Sequence, residues 1–340
     1  MGGGGVSARL VIDTLREPAR CETYDADQWN ALIAAARAEQ IIGTLAHRLN
    51  GLAMPQAAKR VLADARASAA VGRAHALWEA EAARRALGPL DVPVVLLKGT
   101  AFVASGRMAG VGRSIGDLDI LVPRAAIGEV EQALLAAGWE RVKPDPYDDA
   151  YYRQWMHELP PLIHRERDRM IDVHHTILPL TARITPDAAA MIADSERLEN
   201  GLYVPSSNDL ICHAAAHLFA DGEMAGGVRN LWDIHCLITE SGAEGLADRA
   251  RHHGLLNAVL LAARLCHELY GTRIPIDWQV ARRADALFRR RLLARDGWGQ
   301  VRPKWVEHAF YLRGHWLRMP PAMLARHLWT KWRKGYRPVG

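Results

Sequence analysis

The 340-residue sequence predicts an α+β protein in which a small sheet lies between two helical segments, and three features carry that expectation. Over residues 25–87, Ala, Leu, Arg and Glu recur at helical spacing, with no proline between Pro55 and Pro89. Over 91–180 the pattern changes to short apolar runs bounded by Gly, Pro and charged turns, as strands with short connections read. After Pro205 the helical spacing returns. The expected divisions are a helical segment over 1–90, an α/β core over 91–205 and a second helical segment over 206–340.

Taken in order, residues 25–87 make three or four helices. Val94, Val95, Leu96 and Leu97 read as a buried strand, which Lys98-Gly99-Thr100 turns into a short helix through Phe102 and Val103. A glycine-rich loop containing Arg113 leads to a strand over 117–122, and a helix is expected over 125–138. A further strand or hairpin is expected near 151–164, and another strand over 170–177. Pro179, Pro186 and Pro205 punctuate the exit from this segment. Ser207 or Asn208 should cap the next helix, with Asp209 in its first turn and Phe219 near its end; helices over 228–239 and 255–270 follow.

Strand alternation puts Asp117 and Asp119 on one face. Like charges held side by side are costly unless a proton or a hard cation compensates them, so the pair is a candidate cation site. An Asp-x-Asp pair by itself also occurs on solvated strands and turns. Upstream, Gly99 and Thr100 stand at a helix start, where free backbone N–H groups and a hydroxyl can hold a phosphate.

The series Lys98-Gly99-Thr100, Arg113 and Asp117-Leu118-Asp119-Ile120-Leu121-Val122 runs as strand, turn, helix, glycine-rich loop and Asp-x-Asp strand. It resembles the nucleotidyltransferase superfamily that shares its core with DNA polymerase β, and within it the uncharacterised bacterial nucleotidyltransferase family. The resemblance implies a small mixed β-sheet core and a third carboxylate on a later strand, for which Asp172 is the match. It further implies two Mg²⁺ ions held by Asp117, Asp119 and Asp172, with a nucleoside triphosphate, ATP, as donor. Asp172 would complete the catalytic metal site and act as base. Gly99 and Thr100 would contact the terminal phosphates, and Lys98 or Arg113 would neutralise the leaving pyrophosphate. The reaction would move a nucleoside monophosphate to an unidentified acceptor hydroxyl on a small molecule, a peptide or RNA. The chain departs from the wider superfamily in having Gly-Thr for Gly-Ser and a lysine before the glycine; threonine keeps the hydroxyl. The same carboxylates would also serve a phosphotransferase, since spacing does not say which phosphorus is attacked.

The helical tail of the resembling family carries a His-bearing helix and a later Arg-to-Asp helix, matched here by His213 and His217 and by Arg229, Trp232 and Asp233. His213 and His217 share a helix face, but the intervening residues are all Ala, so a metalloprotease-like zinc site lacks its Glu. Packing between helices is the expected role, with one His turned toward the cleft. Alternation places His174 on the Asp172 face, where it would assist the site, and His175 on the opposite one.

Several other classes are excluded. There is no glycine fingerprint after a strand, no Walker loop, no Gly-x-Ser-x-Gly elbow and no kinase His-Arg-Asp loop. No apolar run is long enough to span a membrane, the first five residues do not read as a secretory signal, and four dispersed cysteines fit a reduced, cytoplasmic protein. The net charge of +5 is concentrated after Val301, where Arg302, Lys304, Arg313, Arg318, Arg326, Lys331, Arg333, Lys334 and Arg337 are interleaved with Trp305, Trp316, Trp329 and Trp332. Such a segment can grip RNA or an anionic surface, which keeps a non-catalytic binding protein open. The favoured expectation is that the tryptophans pack the last helices onto the body while the basic groups stay solvated.

Overall fold

A computed structural model describes residues 6–142, 146–221, 224 and 226–318, together with the single positions 324, 329 and 333. Four helices come first: α1 (Val6–Arg16), α2 (Ala26–Ala38), α3 (Ile42–Arg48) and α4 (Gln56–Leu87). The last three answer the expected helices, whereas α1 lies outside the span in which helical spacing was read. Helix α2 starts on a capping box, Asp25 accepting from the Gln28 N–H while the Gln28 side chain returns to the Asp25 N–H. The proline-free stretch becomes the single 32-residue α4.

The core follows as β1 (Val95–Leu96), α5 (Lys98–Ala104), β2 (Leu118–Leu121), α6 (Ile127–Ala136), β3 (Trp139–Arg141), α7 (Pro146–Trp155), β4 (Leu162–His164) and β5 (Met170–His174). After it come α8 (Ala188–Ala193), β6 (Glu196–Arg197) and β7 (Tyr203–Val204). Among the described residues the strands form one seven-stranded sheet in the order β3-β4-β5-β2-β1-β7-β6. It is mixed: β1 runs antiparallel to β2, while β2 runs parallel to β5. The central strands are covered on both faces, with Val95, Leu96, Ile120 and Leu121 fully buried. Two expectations need correction. Tyr151 lies on helix α7, not in a strand, and only Leu162–His164 of the expected hairpin is extended. Asp117 occupies the bend immediately before β2, not the strand itself.

The second helical segment contains α9 (Ser207–Ala215), α10 (Gly227–Ser241), α11 (Leu246–His252), α12 (Leu256–Tyr270), α13 (Asp285–Leu292) and α14 (Lys304–Arg318). The cap of α9 is Ser206, one residue earlier than expected, its side chain accepting from the Asp209 N–H. The helix then widens into a π-helical turn over Ala216–Asp221, which carries His217. Glu39, at the end of α2, is buried and accepts from the Val228 N–H at the start of α10 at 2.9 Å and from Arg295 at 2.6 Å, which joins the two helical segments. One apolar cluster runs from Ala8 to Phe310.

The four cysteines are buried and unpaired, and among the described residues no helix is long and apolar enough to cross a membrane. The tail differs from the expectation. Helix α14 packs through Val306 and Phe310, while Trp305 and Trp316 stay about half exposed under the guanidinium groups of Arg290 and Arg183. Arg326, Lys331, Lys334, Arg337 and Trp332 lie outside the described residues.

Candidate active site

Parallel pairing of β2 with β5 puts Asp119 directly opposite Asp172. The bend before β2 adds Asp117, and one carboxylate oxygen each from Asp117, Asp119 and Asp172 lie within 4.8 Å of one another. The three differ in setting: Asp117 is exposed, Asp172 is partly buried and Asp119 is buried. Such a donor set, all hard oxygens converging on one point, fits a hard divalent cation.

The turn after β1 supplies the counter-charge. Lys98 takes a left-handed backbone conformation, φ +47°, uncommon for a side chain with a Cβ, and its Nζ donates to Asp119 Oδ1 at 2.5 Å. Burial alone would lower the Lys98 ammonium, but the charge of Asp119 outweighs it and holds lysine protonated. Burial likewise pushes Asp119 up, and Lys98 and His174 more than reverse it, keeping the carboxylate ionised. Asp172 has no such partner. Burial first, then the charges of Asp119 and Glu158, push it up to about 7.

The other sequence-identified residues fall around this centre. Gly99 permits a close contact: a Cβ there would sit 2.7 Å from the Arg113 Nε. Arg113 is buried, lies over the ring of Phe102 and pairs with Asp233 of α10. Thr100 is turned inward, 1% exposed, with its hydroxyl unpartnered, so it does not present that hydroxyl to an open turn as the sequence suggested. His174 does share a face with Asp172, and its Nε2 lies 3.0 Å from Asp119 Oδ1. His175 is buried too, and burial with the charge of Arg124 lowers it to about 4. His213 is buried behind the Lys98 turn, and desolvation, then Lys98 and His217, hold its imidazole neutral.

Lys98, Gly99, Arg113, Asp117 and Asp119, with His217 and Arg229, line a cavity of about 980 Å³. Its opposite wall is α3 and α4, through Ile42, Gly43, Asp64 and Ser68. The glycine-rich loop reaches that wall by backbone contact: a Cβ on Gly43 or on Gly112 would overlap the other's backbone, and Thr44 Oγ1 donates to Val111 O at 3.0 Å. Arg229 lines the cavity with a buried, unpartnered Nε and a long 3.5 Å contact from Nη1 to Ser114 O. Burial, then Arg113, lowers its guanidinium to about 10.

Sequence reasoning missed Glu158 and His157, which lie just beyond α7 and meet His174 across the sheet, and it missed Gly43. Neither His157 nor Glu158 stands in a recognisable motif; only the fold brings them to β5. Arg229 was noted for its spacing to Asp233 but not as a cavity residue.

The curated proteins contain no match. Four solved chains match, among them the antibiotic-resistance factor ANT(2'')-Ia, 14% identical, the alignment covering 55% of this chain and 96% of that one with a TM-score of 0.38. Residues 25–271 match the description of the uncharacterised nucleotidyltransferases, and the chain belongs to that family of nucleotidyl-transferring enzymes.

Proposed function

We propose that the protein is a Mg²⁺-dependent nucleotidyltransferase that moves a nucleoside monophosphate from an NTP, ATP in the first instance, to an acceptor hydroxyl with release of pyrophosphate. The observation that carries this reading is the convergence of one carboxylate oxygen each from Asp117, Asp119 and Asp172 within 4.8 Å, at a large cavity that Asp117 and Asp119 line. Mg²⁺ held by these oxygens would neutralise the triphosphate and make its α-phosphorus more electrophilic.

In this reading the acceptor oxygen attacks the α-phosphorus in line, and the bond from that phosphorus to the bridging oxygen of pyrophosphate breaks. Asp172, which has no cationic side-chain partner, would take the acceptor proton. Lys98 would keep Asp119 charged and so serve the carboxylate array, a reading its hydrogen bond to Asp119 supports. Arg113 is similarly committed to Asp233, where it fixes the loop that bears Asp117. The cavity cation best placed for the triphosphate is Arg229, whose buried Nε lacks a partner. Gly99 and the backbone over 112–116 line the same space and would approach the phosphates. The three divisions then have distinct work: the core supplies the carboxylates, 1–90 the far wall and 206–340 the cationic edge.

The test is incubation of the purified protein with Mg²⁺, each labelled NTP and an extract of candidate acceptors, with mass analysis of the product. A nucleotidyl adduct that Asp117→Asn abolishes supports the reading. A product heavier by phosphate alone, or label transfer unchanged in the variant, overturns it.

A further inference from the structure

We propose a second metal site, separate from the three aspartates, in which His157, Glu158 and His174 hold a borderline divalent transition ion such as Zn²⁺. One ligand atom from each lies within 4.8 Å of the others. Glu158 Oε2 is 3.4 Å from His174 Nδ1 and 3.7 Å from His157 Nε2. Ligands bound at about 2.1 Å in a tetrahedron stand about 3.4 Å apart, so these separations are those of a coordination shell. Two imidazoles and one carboxylate leave one position open, the donor set of a Zn²⁺ site with an exchangeable ligand.

The surroundings of the His174 ring point the same way. Its Nε2 lies 3.0 Å from Asp119 Oδ1, while its Nδ1 is buried, makes no hydrogen bond and lies 3.4 Å from Glu158 Oε2. With an ion on Nδ1, the Asp119–His174 contact becomes the carboxylate–histidine pair that orients a ligating ring. The ligands are placed by the fold: His174 ends β5, and the bridge from Glu158 back to His174 pins the segment after α7 against it. The side chains of His157 and Glu158 are 12% and 17% exposed, so an ion can reach them.

The inference does not depend on the transfer reaction. Full-length protein stripped with EDTA is titrated with Zn²⁺, and bound metal is counted by elemental analysis alongside the visible spectrum of the Co²⁺ form. Wild type and Asp117→Asn should each bind one Zn²⁺ with similar affinity, while His157→Ala and Glu158→Gln bind it at least about ten-fold more weakly. Glu158→Gln, nearly isosteric, decides the matter if His157→Ala fails to fold. Absence of stoichiometric Zn²⁺ in wild type, unchanged affinity in Glu158→Gln, or loss of the ion in Asp117→Asn would each overturn the proposal.

Discussion

Replacing Asp172 by Asn should stabilise the metal-free protein at alkaline pH while abolishing transfer. Its carboxyl has an ordinary value of 3.8 and is pushed up to about 7 in the folded chain by burial and by Asp119 and Glu158. Because the folded value lies above the unfolded one, the folded state keeps the proton more tightly; the stability this contributes is complete below about pH 4 and is lost as pH rises through about 7. Roughly three pH units at about 1.4 kcal/mol each gives at most about 4 kcal/mol of lost stability by about pH 8. Asparagine keeps the shape without the charge, so Asp172→Asn should match wild type at about pH 4 and exceed it by up to about 4 kcal/mol at about pH 8. Urea unfolding in EDTA across that range reads the difference directly. Added Mg²⁺ should reverse the order, stabilising wild type increasingly as pH rises, because metal and proton compete for one carboxylate. Equal stabilities of the two proteins at about pH 8 in EDTA would refute the reasoning, since an uncompensated charge at Asp172 would then cost nothing.

Other outcomes follow from the same geometry. Gly43→Ala puts a Cβ against the Gly112 backbone and should cost about 2 kcal/mol in urea unfolding, with a fall in kcat as the loop carrying Arg113 and Asp117 shifts. Lys98→Met leaves the buried Asp119 without its ammonium and should cost about 3 kcal/mol, read as a lowered Tm. Arg229→Ala should raise the KM for NTP at least about ten-fold with a smaller change in kcat; equal KM values would remove Arg229 from the triphosphate site. The pH at which kcat/KM rises should fall as the Mg²⁺ concentration is raised, because the ion competes with the proton on Asp172; a limb that Mg²⁺ does not move would remove Asp172 from the metal site.

The chemistry was legible where it was local. Asp117, Asp119, Lys98 and Gly99 fall within one short stretch, so the Asp-x-Asp spacing and turn chemistry singled them out before any fold was known, although alternation put Asp117 on a strand where the fold has a bend. Asp172 needed the resemblance, because only strand pairing sets it opposite Asp119. What stayed hidden depends on contacts between distant segments. Gly43 looks like an ordinary helix glycine until the loop at Gly112 lands on it. Nothing in the sequence near Tyr151 reveals a helix, because its aromatic and charged residues suit a strand as readily and the packing of α7 decides. Lys98 and Arg113 were read as cations for a phosphate; in the fold each is spent on an aspartate, Asp119 and Asp233.

That commitment of cations explains why the three carboxylates behave differently. A buried array of like charges would be unstable if all were ionised with nothing to offset them. Lys98 offsets Asp119, solvent screens Asp117, and Asp172 has only a proton to take. Below about pH 7 the metal-free fold is spared an uncompensated buried charge because Asp172 keeps its proton, and under the proposed reaction a cation would compete for that same carboxyl. The stability of the metal-free fold and its dependence on pH thus arise from a single arrangement, the unpaired position of Asp172 beside a paired Asp119.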